Sequence, residues 1–305
     1  MRDDETEHLY LDLNTYLRRR FGQKVWKVPV DAGFTCPNRD GTKGLNGCIY
    51  CNNESFSGAS AGEITGQVKK RIEALKRKNI NAYIVYFQSY SNTYGSLDEI
   101  KTKLESALID DGIVSIHIGT RPDTVDDEKL DYLAELNKRY EVVVEYGLQS
   151  SNPETLRIIN RGHTADDFAD AVRKTSERGI KSCAHIILGL PNDTREDMME
   201  TTRFAAACGV HSVKFHHLHI VNDTELENIY KQGKIKVMDV REYADILAEC
   251  IALLPDETVI ARLMGDAAGD TLIAPKWEIS KNGFIDLLKS VMREKGLRQG
   301  VLFRK

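Results

Sequence analysis

Seven short runs rich in β-branched and aromatic residues recur along the chain, and between them the apolar residues switch to a helical period. They span residues 25–34, 82–88, 113–118, 141–148, 180–188, 212–218 and 258–263. Several are apolar almost throughout, as in Tyr83-Ile84-Val85-Tyr86-Phe87 and Val142-Val143-Val144, the pattern of strands buried on both faces of a parallel sheet. Ile64, Val68, Ile72 and Leu75 share one helical face, as do Val240, Tyr243, Ala244, Leu247, Ile251 and Leu254. Ser96, Thr164 and Thr194 each stand three residues before an acid (Glu99, Asp167, Asp197) and mark helix starts. At least six successive βα units dictate an α/β fold with a parallel sheet and right-handed crossovers. The count fits a partial or complete (βα) TIM-like barrel with short N- and C-terminal extensions better than a doubly wound sheet. Chemistry then belongs at the C-terminal ends of the strands.

Composition bounds the partners. With 305 residues, 42 Lys+Arg against 46 Asp+Glu and 41% hydrophobic residues, the chain is too apolar and too evenly charged to be disordered. A net charge of −4 argues against a basic cradle over the whole surface. Local clusters exist at Arg18-Arg19-Arg20, Lys69-Lys70-Arg71, Lys76-Arg77-Lys78 and Arg304-Lys305. They read either as solvated helix faces or as phosphate contacts. The start lacks an apolar signal region, and no stretch reaches the ~20 apolar residues of a membrane span, so a cytoplasmic protein without membrane contact is expected. Without a linker-like segment, residues 1–305 are expected to form a single domain. Its barrel core covers about 20–235 and a helical and strand extension covers 236–305.

Three of the six cysteines fall together, in Asp31-Ala-Gly-Phe-Thr-Cys36 and, past a Gly-rich insert, Cys48-Ile-Tyr50-Cys51. Such a group in a cytosolic chain reads as metal or redox chemistry rather than a disulfide framework. Three soft thiolates hold zinc or an iron–sulfur cluster. Zinc asks for a fourth ligand, and only the remote His163 and His185 offer one. A cubane held by three cysteines keeps one iron open and reactive. Gly41, Gly44 and Gly47 let the insert fold back so that Cys36 joins the other two. Cys183, Cys208 and Cys250 are scattered through apolar stretches, so no auxiliary cluster is expected.

The cysteine loop after a first strand resembles the cluster loop of the radical S-adenosylmethionine (SAM) superfamily, with Tyr50 as the aromatic before the last ligand. The superfamily's usual spacing is three residues and then two, whereas here it is eleven and two. That longer gap resembles the branch of the Elongator catalytic subunit and the oxygen-independent coproporphyrinogen oxidases, and within it the stand-alone YtqA/YhcC-like family. Further markers follow in order: Phe87-Gln88-Ser89-Tyr90-Ser91-Asn92-Thr93-Tyr94, Gly119-Thr120-Arg121-Pro122-Asp123, Glu145-Tyr-Gly147-Leu-Gln149-Ser150, Asn160-Arg161-Gly162-His163, Gly189-Leu190-Pro191 and Lys214-Phe-His216-His217-Leu-His219.

The resemblance implies that Cys36, Cys48 and Cys51 ligate a 4Fe-4S cluster whose open iron chelates SAM. It places Gln88 and Ser89 along the methionine moiety, Gln149 and Ser150 near the ribose, Arg161 on the methionine carboxylate and Ile187 beside adenine. Gly119 and His185 stand where related enzymes carry acids for the ribose hydroxyls, which leaves Thr120 or His185 to meet them. It implies reductive SAM cleavage to a 5′-deoxyadenosyl radical, an electron donor such as flavodoxin or ferredoxin, and tRNA as substrate. The wobble-uridine side chain would change from carboxymethylaminomethyl towards aminomethyl. A small metabolite or porphyrin-like substrate is the alternative, as is a metal-binding protein without catalysis. Gln149-Ser150 also reads as the mere close of a strand, and Arg161 as a surface ion pair. On a strand, Lys214 and His216 share one face with Leu218, opposite Phe215, His217 and His219, so the histidines are split. If the first face points into the barrel, Lys214 and His216 are candidates to bind substrate or move a proton. Arg262, Asp266, Pro275, Trp277 and Lys281 form a C-terminal segment that reads as a lid or substrate contact, or simply as barrel closure.

Overall fold

The computed structural model describes residues 8–52, 62–266 and 269–304. Strands β1 (Val25–Val30), β2 (Ala82–Phe87), β3 (Ile113–Thr120), β4 (Glu141–Gln149), β5 (Lys181–Leu188), β6 (Ser212–His217) and β8 (Val259–Arg262) form one sheet in the order β1-β2-β3-β4-β5-β6-β8. Every pairing in it is parallel. All seven apolar runs therefore become strands of a curled, partial barrel. Its edges, β1 and β8, do not pair. Helix α1 (Leu13–Phe21) lies across them, and a bridge from Asp12 to Ile260 secures it.

The outer layer contains α2 (Ile64–Lys76), α3 (Leu97–Glu105), α4 (Asp127–Asn137), α5 (Pro153–Ile158), α6 (Ala165–Glu177) and α7 (Arg195–Ala207). Every residue of β2 is buried, because inner side chains fill the barrel and outer ones meet the helices. Ser96 caps α3, while Thr164 and Thr194 form reciprocal capping boxes with Asp167 and Asp197. In the first box Thr164 Oγ1 accepts from the Asp167 N–H at 3.1 Å, and Asp167 Oδ2 accepts from the Thr164 N–H at 2.7 Å.

Two features escape strand periodicity. Residues 31–34 leave the sheet because the Gln67 side chain takes over the backbone pairing of Asp31, donating to its carbonyl at 2.8 Å and accepting its N–H at 3.0 Å. After His217 the chain turns into β7 (Ile220–Val221), which pairs antiparallel with β9 (Leu272–Ala274). Helices α8 (Glu225–Lys231), α9 (Val240–Ala252) and α10 (Lys281–Glu294) complete the chain.

The βα geometry favours the solvated-face reading for two of the basic clusters. Helices run antiparallel to the strands, so Arg18-Arg19-Arg20 at the end of α1 and Lys76-Arg77-Lys78 at the end of α2 lie beside strand N-termini, away from the functional rim. Accordingly, Arg20 pairs with Glu141 at the start of β4 (3.0 Å), and Lys76 pairs with Asp110 ahead of β3 (2.6 Å). Lys305 lies outside the described residues. No helix among the described residues is long and apolar enough to cross a membrane.

Thr164→Ala removes one half of a capping box on a helix that borders the site. It should cost about 1 kcal/mol, read as a lower urea midpoint at unchanged slope; an unchanged midpoint would show that the box adds nothing.

Candidate functional site

The cysteine loop leaves the C-terminal end of β1 and is held by a small core of its own. Cys48, Ile49 and Tyr50 pack with Leu156, Ile159, Leu190, Leu218 and Leu226. Backbone pairing fixes the loop there: the Ile49 N–H donates to the Ile159 carbonyl at 3.1 Å, and the Leu226 N–H donates to the Ile49 carbonyl at 2.9 Å. Gly47 has φ +73°, and a Cβ on it would stand 2.9 Å from Arg39 Nε. Asn38 is fully buried and latches the loop to the segment after α5. Its Nδ2 donates to the carbonyls of Asn160 (2.7 Å) and Arg161 (3.0 Å) and lies 3.8 Å from Cys48 Sγ.

Cys36, Cys48 and Cys51 face one cavity of about 230 Å³ at the C-terminal ends of the strands. They form no disulfide. Burial pushes the Cys51 thiol up to about 11, and Cys48 adds to the effect, so a bound cation would be needed to hold thiolates here. Tyr50, Gln88, Thr120, Gln149, Arg161, His185, Ile187, Lys214 and His216 line the same cavity. A register shift between Gly147 and Gln149, with Gln149 at φ +71°, turns that amide into the cavity from the end of β4.

Arg161 is the pivot of this wall. It is buried; its Nη2 donates to the Gly147 carbonyl at 2.8 Å and its Nη1 lies 3.6 Å from Cys48 Sγ, while its Nε has no hydrogen-bond partner among the described residues. It is not a surface ion pair. Gly147 leaves the room for it, since a Cβ there would stand 2.4 Å from Arg161 Nη2 and 2.6 Å from Gln149 Nε2.

Two expected residues stand outside the cavity lining. Ser150 closes the strand: its hydroxyl donates to Asp193 at 3.1 Å and accepts the Asn152 N–H at 3.1 Å, just before α5. Ser89 is fully buried, and its carbonyl accepts from Asn92 at 3.1 Å. The Thr120 hydroxyl is shared among Ser91, Thr93 and Thr124 at 2.9, 2.6 and 3.0 Å. His163 turns both ring nitrogens to backbone carbonyls, of Thr164 and Gly147, and does not join the cysteines.

Sequence reasoning gave no role to the residue at the centre of the barrel. Glu145 on β4 is buried and accepts from His117 Nδ1 (2.8 Å), His185 Nε2 (2.8 Å) and the Lys214 ammonium. Lys214 also reaches the Tyr86 hydroxyl at 3.1 Å. Burial raises the Glu145 carboxyl, but Lys214, His117 and His185 outweigh it and hold the group well below the usual range. Burial, with Lys214 nearby, pulls the Lys27 ammonium down to about 7. The signal was present, since a lone acid in the otherwise apolar run Val142–Leu148 must find partners. Glu145, Cys183 and His185 bring ligand atoms within 4.8 Å of one another, yet Lys214 already takes the carboxylate and leaves no vacancy for a cation.

The end of β6 keeps His217 and His219 together, as alternation expects, and corrects the separation of His216 from them. Because the chain turns after His217, the His217 and His219 rings meet edge-on, Nε2 to Nε2 at 2.7 Å, and His216 stands 4.6 Å from His219. His216 Nδ1 donates to the His217 carbonyl at 2.8 Å. Trp277 stacks on His217 at 4.1 Å and donates to the Met238 carbonyl at 3.2 Å, so it closes the barrel by packing.

A partial parallel barrel with three thiols and a buried arginine around one cavity at its strand ends has the build of an iron–sulfur enzyme that handles a charged organic cofactor. The chain belongs to the radical SAM superfamily: a family model described as Radical SAM superfamily matches residues 38–205, and one described as Radical SAM C-terminal domain matches residues 210–294. It is similar to YtqA of Bacillus subtilis, at 36% identity over 98% of this chain and 94% of that protein, and to YhcC of Escherichia coli, at 35% over 94% of each. A tRNA uridine(34) acetyltransferase of Methanocaldococcus infernus is 24% identical over 61% of this chain and 34% of its own length. Among solved structures, the archaeal Methanocaldococcus infernus Elp3 superposes with a TM-score of 0.71 at 18% identity, covering 90% of this chain and 64% of that one. The Escherichia coli coproporphyrinogen III oxidase HemN gives 0.50 at 18%, covering 78% and 54%. The protein is an iron–sulfur-dependent radical SAM enzyme whose cofactors are a 4Fe-4S cluster and SAM.

Burial holds His185, His211 and His219 neutral, with their imidazoles down at about 4. In the unfolded chain these rings take a proton near pH 6.5, but in the folded chain only near pH 4, so unfolding takes up protons between those values. Their contribution to stability is fully present above about pH 6.5 and drains as pH falls towards 4. Urea midpoints should therefore drop steadily from pH 7 to pH 5; a flat profile would show that the rings ionise in place.

Proposed function

We propose that Cys36, Cys48 and Cys51 ligate the cluster, that Arg161 holds the SAM carboxylate, and that the substrate is the 5-position side chain of a wobble uridine in tRNA, converted from carboxymethylaminomethyl towards aminomethyl. The observation that carries the cofactor assignment is Arg161, a buried guanidinium that abuts one of the three thiols and is left with an unsatisfied donor in the same cavity. The residues present fit both groups. When bound and reduced, they supply a 5′-deoxyadenosyl radical that abstracts hydrogen.

The chain supplies position and shielding. Gln88 and Gln149 present amides from the ends of β2 and β4, and Ile187 offers an apolar wall from β5. His185 donates Nε2 to Glu145, which leaves Nδ1 as its remaining contact for the ribose. Lys214 is committed to Glu145 and serves to position the barrel wall. His216 donates through Nδ1, so Nε2 is its basic nitrogen, and it is the better proton acceptor of the two. An electron carrier such as flavodoxin or ferredoxin would supply the reducing equivalent.

Support for tRNA comes from the uridine(34)-modifying relative and the Elp3-like fold. A small-metabolite substrate is favoured by one observation, the seating of two basic clusters at the far end of the barrel.

After anaerobic reconstitution and reduction, the protein should release 5′-deoxyadenosine from SAM, and the Cys36/Cys48/Cys51→Ala variant should not. Bulk tRNA from cells that accumulate carboxymethylaminomethyluridine should stimulate release and gain aminomethyluridine by nucleoside mass spectrometry. Indifference to tRNA would turn the reading to a small metabolite, and absence of product from a fully assembled cluster would remove the cofactor assignment. Gly147→Ala should lower SAM affinity about 10-fold or more by displacing Arg161 and Gln149, a size set by one charge-assisted contact. Unchanged affinity in equilibrium dialysis would show that Arg161 holds something else.

A further inference from the structure

The wall made by β6 and β8 carries a cation that the cofactor assignment does not use. A register shift pairs Val213 with Ile260 but Lys214 with Arg262, setting two cationic side chains abreast at the cavity. Their circumstances differ. Lys214 is paired with Glu145, whose carboxylate is also engaged by His117 and His185. Arg262 is half-buried and, among the described residues, has neither a hydrogen bond nor an ion pair. Another carboxylate that lines the cavity, Asp266, faces solvent and pairs with Lys281 at 3.3 Å. The Lys214 charge is spent on Glu145, burial draws the Lys27 ammonium down to about 7, and burial keeps the His216 imidazole neutral, so the net positive charge of this wall rests on the guanidinium. Arg262 also borders the groove between β1 and β8, where the barrel is open, and stands three strands from the β4 wall that carries the Arg161 pocket.

We infer that Arg262 receives a carboxylate of the substrate. This inference rests on the wobble-uridine reading, under which the group bound is the terminal carboxylate of the carboxymethylaminomethyl side chain. A half-buried guanidinium without an acceptor suits a planar carboxylate, which it grips through two parallel N–H bonds. Arg161 and Arg262 then divide the work: one holds the cofactor's carboxylate, the other the substrate's. The product, having lost its carboxylate, would be held less tightly and would leave.

The test compares two anticodon stem-loops on the anaerobically reconstituted enzyme with SAM present. One carries carboxymethylaminomethyluridine at the wobble position and the other its carboxamide. Wild type should prefer the carboxylate roughly 10- to 100-fold. Arg262→Gln should erase that preference, and Arg262→Lys, which keeps the charge but loses the fork, should retain part of it. Melting curves and iron content of both variants verify that they fold. If wild type binds both stem-loops alike, or if Arg262→Gln keeps the preference, the wobble-uridine reading stands and the role of Arg262 is overturned. If Arg262→Gln weakens both stem-loops equally, the guanidinium meets a backbone phosphate and the inference fails. If neither stem-loop binds, the wobble-uridine reading fails and takes the inference with it.

Discussion

A single carboxylate organises the inside of this barrel. Glu145 draws donors from β3, β5 and β6 to one point on β4, so three neighbouring strands are tied through side chains as well as through their backbones. Removing a buried charge's partner typically costs about 3–5 kcal/mol, so the cluster is exposed to disruption from any of its members. The arrangement removes Lys214 and His185 from the pool of free acids and bases and leaves the net positive charge of the wall on Arg262.

A second constraint operates at the rim. The cysteine loop has too few residues and too much glycine to build a core alone, so it borrows one from α5, α8 and the turn after β6. Asn38 and Arg161 then stitch it to the segment after β4, using carbonyls that a loop would otherwise leave to water. The wall around Arg161 is thus shaped by packing on both sides: Gly147 makes the space, and the shift in register at the end of β4 turns Gln149 into it.

Much of this was legible in the residues. Parallel strands covered on both faces are largely apolar, which is why the strands of the main sheet stood out as short β-rich runs. Helix starts were legible because capping is local, a hydroxyl and an acid three residues apart. The cysteine loop was legible because thiols in a group have few other uses in such a chain. Side chains whose partners come from distant segments were harder to see. Ser150 belongs to a motif, yet it spends its hydroxyl on Asp193. Thr120 is absorbed by three hydroxyls from two loops. Strict alternation separated His216 from His219, whereas the turn after β6 brings their rings within 4.6 Å.

The sequence by itself determined the class of fold, the order of its units, the thiol triplet and the strand ends at which chemistry would sit, because each depends on periodicity or on neighbours within a few residues. Only the tertiary structure decided which charges are spent and which remain. Glu145 meets Lys214 across 69 residues of chain, and Arg262 stands beside Lys214 through a shift in register. Partnership between buried charges is set by the curvature and register of the sheet, and neither is written in any local stretch of residues.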